Sequence, residues 1–129
     1  MTDPGHPGGA SPAVRVIAMP ADTNPSGDIF VGWLMCQMDL AAGKVAADRA
    51  AGRVATVAVE SMTFLRPVKV GDEVSVYASL VRAGRSSMRI AVEAWRRQRG
   101  SATTERVTEA AFTFVAIDGD GLPRALSEG

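Results

Sequence analysis

The feature that most constrains the fold is a turn that leads directly into an apolar helix, in the segment MPADTNPSGDIFVGWLMCQMD at residues 19–39. Residues 22–27 are turn formers, several of which hydrogen-bond their own backbone, so a helix begins only after them. From Phe30 onward, apolar residues recur every three to four positions and form one stripe of a helix. The stripe consists of Phe30, Leu34, Met38, Ala41 and Val45. The pattern predicts a long helix with a core face, and Gly52 predicts its end.

One acid, Asp39, lies at the border of this predicted core face, about 100° round the helix from Met38. It is the only acid between Asp28, near the helix start, and Asp48. Because a charge is costly to bury among Ala, Gly, Met, Leu and Val, two interpretations stay open: a solvated surface acid and a functional one. The small residues after it favour a buried helix that a curved sheet approaches closely.

Alternating patterns predict antiparallel strands around the helix. They cover residues 14–18, 54–64, 73–81, 88–95 and 108–116, with turns near Gly84 and at residues 118–121. The strand at 54–64 is apolar on both faces, which predicts a central position in the sheet. Residues 96–106 are polar and aperiodic, which predicts a loop. The chain is therefore predicted to be α+β, with one helix on one face of a sheet, and dimerisation is expected to cover what remains exposed.

The charges and the rare side chains exclude several classes of function. Fourteen basic and fourteen acidic residues cancel, which argues against a nucleic-acid partner or an acidic-membrane surface but leaves room for a local phosphate site. A single cysteine, Cys36, excludes an internal disulfide and a Cys-rich zinc site. The one histidine, His6, lies in a Gly/Pro-rich leader, so a His-based catalytic dyad or triad has no base.

The organisation is predicted to be simple. Residues 1–12 are Gly, Pro and small polar residues, which predicts a flexible tail, and residues 13–126 are predicted to form a single domain. No apolar run is long enough to span a membrane, and the N-terminal residues lack the pattern of a signal peptide. We therefore expect a cytoplasmic protein.

Four motifs, in the same order and at similar spacing, closely resemble the hot-dog-fold acyl-CoA thioesterases of the YciA type. They are MPADTNPSGDIF with the following GW and QMD, VATVAVESMTFLRPVKVGDEV, GRSSMRI, and TEAAFTFVAIDGDGLPR, and the resemblance covers roughly Arg15 to Arg124. The resemblance implies a hot-dog fold, in which a curved antiparallel β-sheet wraps one long central helix and two chains dimerise through their sheets. It also implies a trimer of dimers, and hydrolysis of acyl-CoA without metal or separate cofactor, since coenzyme A is part of the substrate.

The resemblance implies catalytic roles for three positions. The family's catalytic acid falls on Asp39, as general base or nucleophile, and its turn asparagine falls on Asn24, which orients the water or the thioester from the opposite subunit. Backbone amides around Gly32, at the positive end of the helix dipole, are expected to stabilise the oxyanion. From the residues alone, the favoured interpretation of Asn24 is an ordinary turn or cap residue.

The resemblance also implies contacts to coenzyme A. The turn Gly84, Arg85, Ser86 and Ser87 offers a guanidinium, hydroxyls and backbone amides to the phosphates, although a plain hairpin turn with a solvated arginine fits as well. The strand residues Val59, Glu60 and Ser61 are expected to bind the pantetheine arm through the main chain. Glu60 is unusual in so apolar a strand. Arg66 and Arg124 are further basic candidates.

One position departs from the family pattern, which commonly has two glycines before the tryptophan. Here Val31 precedes Gly32, so a β-branched residue restricts the backbone and adds bulk where the acyl thioester is expected to pass. Pocket length is expected to depend on side chains such as Met35, Met38, Met62 and Phe64. Two alternatives to a thioesterase are an acyl-CoA-binding sensor or scaffold without turnover, and a hot-dog dehydratase or hydratase, which the lack of a usable histidine disfavours.

Overall fold

A computed structural model describes residues 11–127, and within this range the chain forms one α-helix, one short 3-10 helix and five strands. The strands are β1 (Val14–Ile17), β2 (Val54–Phe64), β3 (Glu73–Ala83), β4 (Ser87–Arg97) and β5 (Thr104–Ala116), the helix α1 is Val31–Ala50, and the 3-10 helix is Pro20–Asp22. His6 and all but two residues of the tail predicted at 1–12 lie outside the described residues.

All five strands join one antiparallel sheet in the order β1-β3-β4-β5-β2. The helix links β1 to β2, which lie at opposite edges, so it crosses one face of the sheet. The predicted hairpin of β3 and β4 and the buried face of β5 are confirmed, since Phe112, Phe114 and Ala116 are buried beneath the helix. The α+β class and the hot-dog architecture are confirmed.

Small side chains bring the helix close to the sheet, as predicted. Ala41, Ala42 and Ala46 are fully buried, and a Cβ added at Gly43 would lie 3.6 Å from the ring of Phe114. The last helical residue is Ala50, two residues before the predicted stop at Gly52, because Ala51 takes the left-handed conformation, with φ of 52°.

The expectation that the helix is buried on all sides is wrong for the single chain. Phe30, the cap residue, is 49% exposed rather than part of the core stripe, and Leu40 is 62% exposed. The sheet covers one side of α1 and leaves the other side open, because five strands of this length do not close around a helix. The exposed side carries Val31, Cys36, Asp39 and Leu40.

The interpretation of residues 54–64 as a central strand is also wrong for the single chain. β2 pairs with β5 alone and forms an edge of the sheet, with two register shifts and with Ser61 at a positive φ of 56°. Val57 and Val59 are exposed there. An apolar pattern on both faces is equally typical of a central strand and of an edge strand that another chain covers.

The loop predicted at residues 96–106 is shorter in the structure, because β4 continues to Arg97 and β5 begins at Thr104. Arg96 lies opposite Glu105 and donates to it at 3.0 Å, and it donates to the buried Asp72 at 3.1 Å. Desolvation is the largest single influence and lowers the pKa of Arg96, but the hydrogen bonds and charges of Glu105 and Asp72 together raise it above its ordinary value. Cross-strand ion pairs therefore allow charged residues to extend these strands.

None of the helices between residues 11 and 127 has the length and apolar character needed to cross a membrane. The cytoplasmic location stays a prediction.

Candidate active site

Asp39 lies on the exposed flank of α1 and is hydrogen-bonded to the sheet. The hydroxyl Oγ1 of Thr56, near the start of β2, donates to Oδ1 of Asp39 at 2.7 Å. Thr56 lies opposite Phe114, which is buried against the helix, so both side chains point to the helix side of the sheet. This contact fixes the orientation of the carboxylate while leaving it accessible to solvent.

A row of cross-strand neighbours runs from Thr56 to the turn that the resemblance implies binds coenzyme A. Phe114 lies opposite Met88 on β4, and Met88 lies opposite Ala83, so these two residues flank the turn. Because neighbouring strands are about 4.8 Å apart, the backbone of Met88 lies roughly 10 Å from that of Thr56. The structure thus brings Asp39 and the turn to the same end of the sheet.

The turn itself is held by its backbone. The N–H of Gly84 donates to the carbonyl of Ser87 at 2.8 Å, and a Cβ at position 84 would lie 2.8 Å from the Ser87 hydroxyl oxygen, which favours glycine. The carbonyls of Arg85 and Ser86 accept from the N–H groups of Leu126 and Ala116, both at 2.8 Å. The guanidinium of Arg85 is exposed and has no partner among residues 11–127, so it is available to an anion.

Asn24 has the turn role that its residue type allows, and the structure shows which of its atoms remains available. Its Oδ1 accepts from the N–H of Ser26 at 2.9 Å and from the N–H of Asp28 at 3.1 Å. Its own N–H donates to the carbonyl of Asp28 at 2.7 Å. The side-chain amide is therefore oriented by its oxygen, and its Nδ2 has no partner within the described part of the chain.

The first turn of α1 presents backbone donors beside an exposed surface. Phe30 is the cap residue, and its N–H donates to the carbonyl of Asp22 at 2.9 Å. The N–H groups at Val31 and Gly32 have no intrahelical acceptor, as is general at a helix start. A Cβ at Gly32 would meet nothing within 4 Å in the single chain, and Val31 is half exposed. The side-chain positions of Val31 and Gly32 therefore face space that a ligand or a second subunit can occupy.

The strand residues implied to bind pantetheine divide between two faces. Val59 lies opposite the buried Phe112 and shares the helix side with Thr56. Glu60 points to the other face, where its Oε1 accepts from Nη1 of Arg89 at 2.7 Å. The ion pair with Arg89 accounts for an acid in this apolar strand and does not bring Glu60 to Asp39. Ser61 lies at the register shift, with its positive φ.

The two further basic candidates have structural partners. Arg66 pairs with Glu105 at 2.9 Å. Arg124 donates to the carbonyls of Ile117 at 3.0 Å and Ala50 at 2.9 Å, so it caps the C-terminal end of α1. Of the side chains expected to set pocket length, Met38 is fully buried, Met35 and Met62 are partly buried, and Phe64 is 46% exposed. The part of the chain that the structure describes holds no group of three or more His, Cys, Asp or Glu side chains able to bind a metal ion.

Sequence reasoning did not find Thr56 or Arg89, the partners of Asp39 and Glu60. The available signal for Thr56 was a hydroxyl near the start of the strand that follows the helix. The pairing with Asp39 depends on how far β2 slides along β5, which the sequence pattern does not determine.

A family model described as the thioesterase superfamily matches residues 26–103, which include Asp39, Thr56 and the turn at Gly84. The chain belongs to the thioesterase superfamily. The expected resemblance to its YciA type is confirmed, because the chain is 52% identical over 116 residues to the acyl-CoA thioester hydrolase YciA of Escherichia coli, covering 88% of each chain.

Two other similar proteins extend this finding. An uncharacterised acyl-CoA thioester hydrolase of Zymomonas mobilis, ZMO0511, is 56% identical over 122 residues, which cover 95% of this chain and 81% of the relative. The crystal structure of the hexameric thioesterase y2039 from Yersinia pestis superposes with a TM-score of 0.89 at 49% identity, covering 93% of this chain and 98% of that one.

Proposed function

We propose that this member of the thioesterase superfamily hydrolyses acyl-CoA, so that acyl-CoA and water give a free fatty acid and coenzyme A. The observation that carries the proposal is the carboxylate of Asp39, which Thr56 holds at the end of the sheet that also carries the Arg85 turn. The relatives of known name are acyl-CoA thioester hydrolases, which supports coenzyme A thioesters as the substrate class.

Asp39 is the reactive carboxylate in this proposal. As a general base, it removes a proton from water as the oxygen attacks the thioester carbonyl carbon. As a nucleophile, it attacks that carbon itself and forms an anhydride that water then opens. Either route breaks the C–S bond, and the leaving thiolate takes up a proton. Single-turnover hydrolysis in heavy-oxygen water identifies the nucleophilic route when water opens the anhydride at the carboxyl carbon of Asp39, because an unlabelled oxygen of Asp39 then enters the fatty acid and the label enters Asp39.

Asn24 acts as a donor rather than an acceptor. Its Oδ1 accepts two backbone hydrogen bonds, so Nδ2 is the atom left for the substrate. A donor at the thioester carbonyl oxygen stabilises the negative charge that develops there during attack. The N–H of Gly32, at the positive end of the helix dipole, adds a second donor.

Coenzyme A lies along β2 and ends at the turn. Main-chain groups of Val59, Glu60 and Ser61 bind the pantetheine arm near the register shift after Glu60, where the pairing of β2 with β5 is interrupted. Arg85, with the hydroxyls of Ser86 and Ser87 and the backbone of Gly84, binds the phosphates.

Two chains join through their β2 edges, and Asp39 of one chain works with Asn24 of the other. Exposed apolar side chains along this edge and on the open flank of α1 support the pairing, with Val57 57% exposed and Leu40 62% exposed. Three such dimers assemble into a hexamer, in line with the hexameric relative from Yersinia pestis. Mixed subunits test the shared site. Co-assembled Asp39→Asn and Asn24→Ala chains regain activity because each mixed dimer holds one intact site, whereas sites built within one chain would stay inactive.

The direct test of the function is the release of free thiol from a panel of acyl-CoAs, from acetyl to palmitoyl. Turnover that yields equal amounts of fatty acid and coenzyme A supports the proposal and identifies the preferred chain. Saturable acyl-CoA binding without thiol release would contradict it and favour the sensor.

A further inference from the structure

The segment that follows β2 makes an ion pair with the turn that holds Asn24. Nζ of Lys69 is ion-paired with Oδ1 of Asp28. Asp28 is also the residue whose backbone N–H and carbonyl bind Asn24, at 3.1 Å and 2.7 Å. The side chain of Lys69 therefore holds the residue that orients the amide of Asn24.

Lys69 is itself held firmly to the sheet. Its N–H donates to Oδ2 of Asp72 at 2.9 Å, and Asp72 is only 1% exposed. Arg96 on β4 donates to the same oxygen at 3.1 Å, and the carbonyl of Asp72 accepts from the N–H of Ala18 at 3.0 Å. A second link joins the two segments, because the N–H of Ile29 donates to the carbonyl of Val68 at 3.2 Å. The backbone of Lys69 is thus anchored to the sheet, so its side chain can hold the turn in place.

The turn needs such support, because Pro25, Ser26 and Gly27 are all exposed and Gly27 has a positive φ of 85°. A partly exposed ion pair contributes little to global stability. Because the Lys69–Asp28 pair lies at one end of a short turn, it can instead restrict the local movement of that turn. Because catalysis is sensitive to the position of a hydrogen-bond donor on the scale of an ångström, a small movement of the turn is expected to lower kcat.

We propose that Lys69 is a positioning residue, which holds Asp28 so that Nδ2 of Asn24 faces the thioester carbonyl. The inference rests on the proposed function and adds a residue with no part in binding the substrate. The inference requires Lys69 to affect catalysis only through Asn24, so the effect of replacing Lys69 should disappear when Asn24 is already replaced.

The test compares Lys69→Met with Lys44→Met. The control removes a second exposed lysine–aspartate pair, between Lys44 and Asp48 on α1. Lys69→Met is expected to lower kcat by about tenfold with KM and Tm little changed, while Lys44→Met leaves all three unchanged. Lys69→Arg is expected to restore most of kcat, because arginine keeps the charge. In an Asn24→Ala background, Lys69→Met is expected to produce no further loss.

Wild-type kcat in Lys69→Met would overturn the inference, as would an equal loss with and without Asn24, since Lys69 would then act independently. Hydrogen exchange gives a readout that does not need turnover. Lys69→Met is expected to speed amide exchange at Ser26, Gly27 and Asp28, and unchanged exchange there would also overturn the inference. Faster exchange in Lys69→Met, found together with a wild-type protein that does not turn over acyl-CoA, would instead contradict the proposed function and leave the positioning role of Lys69 standing.

Discussion

Thr56 on the edge strand β2 donates a hydrogen bond to Asp39 on the open flank of α1, with 2.7 Å between the two oxygens. This contact joins the helix to the sheet at the proposed site. The threonine hydroxyl fixes Oδ1 of the carboxylate, and Oδ2 has no hydrogen-bond partner among residues 11–127.

Replacing Thr56 with valine removes the hydroxyl and keeps the shape of the side chain. A hydrogen bond to a charged group contributes about 1.5–3 kcal/mol, so we expect kcat/KM to fall by about tenfold or more. Thr56→Ser keeps the donor and is expected to stay within about threefold of wild type by the same argument. Steady-state kinetics on one acyl-CoA measures both, and an unchanged Thr56→Val enzyme would show that the contact does not serve catalysis.

Asn24→Asp separates the turn role of this residue from its donor role. The aspartate keeps an oxygen that accepts from Ser26 and Asp28 but has no Nδ2, so the turn stays folded while the donor is lost. Loss of one oxyanion donor typically costs about 10²–10³ in kcat, and we expect a loss of this size with an unchanged Tm. Asn24→Ala is expected to lose activity and also to loosen the turn. Activity retained in Asn24→Asp would exclude the amide as donor.

Val31→Gly restores the glycine pair that the family commonly carries. Val31 is half exposed at the start of α1, and its side chain adds bulk beside the proposed oxyanion donors. We expect the glycine variant to accept a broader range of acyl chains or to turn them over faster. The measurement is kcat/KM across several chain lengths, and unchanged kinetics at every length would contradict the expectation.

Asp118 makes the stability of the chain depend on pH. Its Oδ1 accepts from the N–H groups of Leu122 at 3.0 Å and Asp120 at 2.9 Å, which lowers the pKa of Asp118 below its ordinary value. Since the folded-state pKa is the lower one, its stabilising effect is fully present above the ordinary carboxyl pKa. The effect is lost as pH falls through the folded-state pKa.

We therefore expect Asp118→Ala to have a lower Tm than wild type at neutral pH and the difference to shrink in acid. Asp120→Ala, in the same turn, keeps its backbone donor and serves as the control. Thermal unfolding of the three proteins across the acid range measures the effect. A constant difference at all pH values would show that the charge of Asp118 is not responsible.

The helix and the β3–β4 hairpin could be predicted from sequence, because both depend on local signals. The apolar stripe through Leu34 and Met38 determines which side of the helix is buried, and Gly84 marks the hairpin turn. The edge position of β2 could not be predicted, because its apolar pattern fits a strand flanked by its own chain and one flanked by a second chain equally well.

Tertiary partners explain the other differences. The segment that contains Arg96 and Glu105 is predicted from its sequence to be a polar loop, because a sequence pattern does not reveal that these two residues face each other across two strands. Glu60 stood out as an unusual acid in an apolar strand because its side-chain partner, Arg89, lies on a strand that is distant in sequence. Asp39 stood out from the sequence as an isolated acid, but its contact with Thr56 depends on the register of β2, which only the folded chain determines.

The most direct test of the account is thiol release by Asp39→Asn beside wild type and Asp48→Asn. Asp48 is an exposed acid on the same helix, paired with Lys44, so its variant controls for the loss of one charge from α1. We expect turnover of acyl-CoA to fall by more than about a hundredfold in Asp39→Asn alone, with Tm and acyl-CoA binding retained. Equal turnover in all three folded proteins would contradict the account, because the reaction would then not depend on Asp39.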